Sequence, residues 1–278
     1  MASNSIFQVV NERGWRAGLS NLVRKENRDW WGTRTWLLQS LIWLVILNGL
    51  TLGVILITSD PTQLASADPA TAKLLVDKTT IPLDKFFQIA GIAMSLGIVV
   101  LAQDEIIGEK RSGTAAWILS KPVSRSAFVL SKLLGNLPGI VVIQVLLQGA
   151  VCYAMVSISR GSPLPVIGFW GGMGAVLLAL LFYLALTLML GTLFDSRGAV
   201  MGIPLVIILG FTLFPMFLPS SYEFLPYALT MSGGGTPSVA LALATGKPIA
   251  SLLPVVANAA WIALFTGVAM WRFRREEL

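Results

Sequence analysis

The sequence contains no histidine. That absence removes the commonest metal ligand and the commonest general base near neutral pH. A single cysteine, Cys152, sits inside an apolar run. It allows no intrachain disulfide and reads as a small packing residue. Charge is scarce as well. Only 12% of the 278 residues are Asp, Glu, Lys or Arg, against roughly 25% in a soluble domain. A phosphate-binding Gly-x-x-x-x-Gly-Lys-Ser/Thr loop is missing too. Gly246-Lys247 is followed by Pro248 and lacks the upstream glycine. The chain is therefore expected not to hydrolyse ATP itself. No catalytic residue, cofactor site or metal site is assigned to it.

What fills the chain is apolar. Hydrophobic residues make up 55% of it, and the mean hydropathy is +0.76. A soluble core of this size cannot bury so much apolar surface, whereas a bilayer supplies the missing apolar solvent. The net charge is +6, but the basic residues cluster just outside apolar stretches. That is where the positive-inside rule puts them, so the charge reads against nucleic-acid binding. The first 34 residues are polar and of mixed charge, which is not the pattern of a cleavable signal peptide.

A helix needs about 20 apolar residues to cross a hydrocarbon core roughly 30 Å thick. The stretches free of Lys, Arg, Asp and Glu are 35–59, 86–103, 133–159, 161–194, 198–222, 224–246 and 248–271. The sixth contains Pro226, Pro237 and the run Gly233-Gly234-Gly235. Each glycine costs a helix roughly 1 kcal/mol. Residues 219–251 are therefore expected to form an outer, re-entrant segment. The reading is an all-α membrane protein with six transmembrane helices, at about 36–58, 86–104, 133–158, 167–194, 199–218 and 252–271. With the N-terminus inside, this puts fifteen of the 20 basic residues on the cytoplasmic side. A seventh span would place Arg272, Arg274 and Arg275 outside, against the rule.

Residues 1–34 read as a cytoplasmic amphipathic segment. From about Ser5 to Trp31, Phe7, Val10, Trp15, Leu19, Leu22 and Val23 are interspersed with basic residues. Such a helix lies in the headgroup plane, and Trp30, Trp31 and Trp36 mark the interface. The outer loop 60–84 is too short for a folded domain. Gly168 and Gly172 form a small face suited to close helix packing. The six spans carry no internal charge, whereas ion-coupled pumps usually keep ionisable relays within the bilayer. Asp104, Glu105, Asp195 and Arg197 fall at helix ends, and an Asp195–Arg197 pair is expected to tighten the turn between spans four and five.

The longest charged loop, 105–132, carries the most distinctive pattern. Thr114 to Ser120 suits a short helix with Trp117, Ile118 and Leu119 apolar. Pro122 ends it, and Ser124 or Ser126 caps the next helix. A short helix between two spans with an apolar face suits a pocket on a soluble partner, although Trp117 at the lipid interface is an equally good reading. The pattern Glu109-x-x-x-Gly113-Thr114, then Leu119-Ser120-Lys121-Pro122-x-x-Arg125 and Lys132, closely resembles the cytoplasmic loop of type 2 (export-class) ABC transporter permeases. The six-span layout, the glycine-rich segment and the basic tail are similar to that family as well.

The resemblance implies that the loop carries a coupling helix between spans 2 and 3, which docks on a cytoplasmic ABC ATPase subunit. It implies functional positions at Glu109, Gly113, Thr114, Trp117, Pro122 and Arg125. Glu109 would anchor the loop, Gly113 would permit the turn, and Thr114 would cap the helix. Arg125 would pair with lipid headgroups or with acidic residues of the ATPase. The partners implied are that ATPase, which would hold ATP and Mg, a second permease copy or paralogue, and membrane lipids. The membrane would be a prokaryotic plasma membrane with both termini cytoplasmic. The rival readings are a self-contained secondary transporter or channel, and a membrane scaffold for a soluble complex.

Overall fold

The computed structural model describes residues 13–59 and 77–276. Phe7 and Val10 of the expected amphipathic segment, and most of the 60–84 loop, lie outside the described residues. Among the described residues the backbone is helical, with one isolated bridge between Gly233 and Thr236 and no strand. Five helices are long and apolar enough to cross a membrane.

Helix α1, Leu19–Gly32, buries Leu22, Glu26 and Trp30. The spacing of four places all three on one face. Helix α2 is Thr35–Ser59. Helix α3 covers residues 80–102. It starts six residues ahead of the apolar run because the Asp77 carboxylate accepts the N–H groups of Thr79 and Thr80 at 3.0 and 2.7 Å. A turn over 103–106 follows, then the short helices α4, Ile107–Arg111, and α5, Thr114–Leu119. Helix α6 is Arg125–Arg160 and α7 is Val166–Leu193.

Helix α7 is the axis of the fold. Its most apolar stretch is 72% buried, against 28% to 50% for the other four long helices. It packs against α3 and α6 and against two later helices, α12 (Val239–Thr245) and α13 (Leu253–Arg274). The expected small face is used. A Cβ on Gly168 would lie 2.3 Å from the Leu243 carbonyl oxygen, and one on Gly172 would lie 2.6 Å from that of Ala240.

Helices α2, α3 and α6 each contain a stretch of wider π-type turn, at Leu44–Asn48, Ala90–Met94 and Ile140–Leu147. The α2 stretch packs against α6 beyond that helix's own wide stretch, and the α6 stretch packs against the start of α2. Asn48 donates to Gln148 at 2.7 Å, and the ring of Trp43 lies against Gly97.

The expected fifth span is interrupted. Helix α8 is Arg197–Leu209, 13 residues, or about 20 Å, which is too short to cross alone. The chain turns at Gly210 and resumes as α9, Leu213–Phe217. Two one-turn helices follow, α10 (Ser221–Phe224) and α11 (Tyr227–Thr230). A turn with Gly234 and Gly235 at positive φ leads into α12. The segment 219–251 is thus a series of short helices, and α12 is buried against α7.

Several segments meet at one end of the bundle. Helix α1 packs on the start of α6. Arg125 donates to the carbonyls of Arg274 at 2.9 Å and Glu276 at 2.5 Å. Lys110 pairs with both Asp195 and Glu276. This end therefore holds α1, the 103–124 segment, the α7–α8 turn and the C-terminal tail.

Candidate functional site

The 103–124 segment projects from that end. Gly113 makes the turn into α5 with φ of 72°, a left-handed conformation open to glycine at little cost. Thr114 is the first helical residue rather than the cap. Its hydroxyl shares a 2.8 Å hydrogen bond with that of Ser112. Ala115 and Ile118 are buried, whereas Trp117 is 63% exposed. The Lys121 ammonium lies 3.3 Å from the centroid of the Trp117 ring. Pro122 follows the helix, and Ser124 caps α6 by accepting the Ala127 N–H at 3.0 Å. Between α5 and α1 lies a cleft of about 310 Å³, lined mainly by apolar atoms of Leu22, Trp117, Ile118, Pro122 and Val123.

Beneath α5 is a closed ring of four charges. Glu109 accepts from Lys25 at 2.8 Å and from Lys132 at 2.7 Å. Glu26 accepts from the same two lysines at 3.0 and 2.9 Å. Lys132 is 3% exposed, so its charge is held by the two carboxylates rather than by water. The ring ties α1, α4 and α6 together. Burial pushes the Glu109 carboxyl upward, but Lys132 and Lys25 outweigh it and hold the group below the usual range. Burial lowers the Lys25 ammonium, but Glu109 and Glu26 more than offset this and raise it. The close approach of α1 needs Gly135, where a Cβ would lie 2.3 Å from that of Glu26.

A fifth group sits beside the ring. Glu105 lies in the turn that follows α3, in the charged segment with Asp104, Glu109, Lys110 and Arg111, and so beyond the charge-free stretch that crosses the hydrocarbon core. Asn136 donates to its two carboxylate oxygens at 2.8 and 3.0 Å. The Asn136 carbonyl accepts from the Trp30 indole at 2.7 Å. Burial pushes the Glu105 carboxyl up to about 8, and Lys132 and Asn136 only partly counter it. Glu105 faces a cavity of about 520 Å³ that is also lined by Glu26, Asp29, Trp30, Glu109 and Lys132.

An outer belt of ion pairs corrects one expectation. Asp195 and Arg197 do not pair with each other. Asp195 binds Lys110 at 2.8 Å, and Arg197 grips Asp104 through two bonds of 2.8 and 2.6 Å. Each reaches back to the 103–111 segment because the α7–α8 turn lies beside it. Arg125 is likewise engaged within the chain, on the carbonyls of the tail.

Of the residues singled out by the sequence pattern, Gly113, Thr114, Trp117 and Pro122 share the projecting segment. Glu109 lies beneath it, and Arg125 faces the C-terminal tail. Lys25, Glu26 and Asn136 escaped sequence reasoning, and Glu105 reads there only as a helix-end residue. Glu26 carried a signal: it falls between Leu22 and Trp30 on the face that is otherwise apolar.

A chain whose described residues form helices, five of them long and apolar, with a charged junction at one end is an integral membrane protein. The model of the family described as ABC-2 family transporter protein matches residues 20–278. The chain belongs to that family and is an ABC-2 type permease membrane subunit, not itself catalytic. No curated protein matches it.

Proposed function

We propose that the protein is the membrane-spanning half of an ATP-driven exporter, converting ATP hydrolysis in a separate ABC ATPase into movement of a substrate across the membrane. The observation that carries this reading is the pairing of an exposed Trp117 with a rigid base. The ring of Lys25, Glu26, Glu109 and Lys132 joins α4 to α1 and α6. A partner that pushed on α5 would therefore move membrane helices rather than a loose loop. In this reading α5 is the coupling helix, and ATP and Mg belong to the partner. A second permease copy or paralogue completes the pathway.

Six crossings are part of the proposal, with α8 and α9 together making the fifth. Parity supports it. The α7–α8 turn and the end of α13 lie at the same end of the bundle, so the chain between them has to go out and return. The excess of basic residues at that end supports a cytoplasmic location for both termini.

The test is purification of the tagged chain from its native membrane in mild detergent. Near-stoichiometric recovery of an ATPase with a Walker motif, reduced for W117A, is the expected result. Recovery of the intact chain without any nucleotide-binding partner would overturn the reading.

A further inference from the structure

A groove of about 770 Å³ runs along the side of α1, on the face next to the one that packs on α6. Its floor follows the helical spacing of four: Leu19, Val23, Asn27 and Trp31. The neighbouring row, one residue on, places Arg24 and Arg28 along one rim, both exposed. Leu134 of α6 forms the opposite wall. The groove is therefore basic along one edge and apolar along its base.

From this juxtaposition we infer that the groove binds one anionic phospholipid, with its phosphate on Arg24 and Arg28 and an acyl chain over Trp31 and Leu134. Guanidinium groups bind phosphate through paired N–H donors, and side chains four apart on a helix stand about 6 Å apart. A soluble phosphate would use the rim alone. The apolar base continues onto α6, a helix long and apolar enough to cross the membrane, and Trp31 has the ring type that settles at the headgroup level. A lipid uses both parts. The site is separate from the α5 cleft, and the inference does not depend on which ATPase is bound.

The test is native mass spectrometry of the full chain in mild detergent, with added phosphatidylglycerol or phosphatidylcholine. Arg24 already interacts within the chain, so the preference rests chiefly on Arg28, and roughly 1 kcal/mol near an anionic headgroup corresponds to about a fivefold preference for phosphatidylglycerol. R24Q/R28Q should abolish the preference. R13Q/R16Q removes the same charge outside the groove and should retain it. Equal retention of the two lipids by the native chain, or equal loss in both double variants, would overturn the inference. Inorganic phosphate that competes fully with the lipid would overturn it as well, since the base would then contribute nothing. If R24Q/R28Q fails to fold, V23Q keeps both charges and should lower phosphatidylglycerol retention through the base alone. Unchanged retention in V23Q would count against the lipid.

Discussion

Glu109 stands between two lysines from different helices, Lys25 of α1 at 2.8 Å and Lys132 of α6 at 2.7 Å. Removing either kind of partner leaves a buried charge uncompensated, which typically costs about 3–5 kcal/mol. K132M leaves Glu26 and Glu109 sharing the single cation of Lys25, one buried negative charge in excess, and is expected to destabilise the chain by about that amount. R197Q, which breaks a largely exposed pair with Asp104, is expected to cost about 0–1 kcal/mol. Thermal unfolding of the two variants in one detergent measures the contrast. Equal losses would show that the ring is as well hydrated as the outer belt.

Trp117 should separate folding from partnership. It is exposed, so W117A is expected to change stability by no more than about 0.5 kcal/mol. As a buried aromatic anchor in the proposed complex, it should contribute about 2 kcal/mol or more to ATPase affinity. Titration of the purified ATPase against reconstituted native and W117A chains reads this directly. Unchanged affinity would remove α5 from the interface.

Glu105 predicts a pH dependence of definite sign. Its carboxyl is pushed up to about 8 by burial, against 4.5 in the unfolded chain. Between those values the folded chain keeps a proton that the unfolded chain has released. This group's contribution to stability is full below about 4.5 and is lost as pH rises through about 8. Glu109 acts in the opposite direction, because its carboxyl is held below the usual range by Lys132 and Lys25 against the effect of burial. Its contribution is lost only on acidification. E105Q carries no titrating group and should flatten the decline on the neutral side. An unaltered profile in E105Q would show that Glu105 ionises as an ordinary carboxylate.

Gly113 should tolerate no ordinary side chain. At φ of 72°, a Cβ costs roughly 1–2 kcal/mol. Space is not the obstacle, since nothing lies within 4 Å of the position. G113A is therefore expected to destabilise the turn, and G113N to cost less, because asparagine enters this region more readily. Circular dichroism melts of the two variants give the order. Equal stability to the native chain would mean that the turn relaxes to another conformation.

The sequence revealed the helical membrane class through its shortage of charge, and it located the projecting segment through Gly113, Trp117 and Pro122. Local signals sufficed there, because turns and proline boundaries are set within a few residues. The ring beneath was not legible. Lys25 and Glu109 are distant in the chain, and no periodicity announces that two polar residues will meet. The expected Asp195–Arg197 pair failed for the same reason: closeness in sequence lost to partners on the 103–111 segment. The break at Gly210 was hidden inside an unbroken apolar stretch, where composition does not register a turn.

The wide turns in α2, α3 and α6 have a mechanical consequence. Each holds one residue more than a regular turn, so the side-chain pattern beyond it is displaced by about 100° around the helix. Moving that extra residue along the helix exchanges one weak backbone bond for its neighbour, whereas stretching a regular helix breaks its ladder. Three of the long helices therefore each hold one place where they can yield. A load applied at the charged end can then arrive beyond these places as a twist.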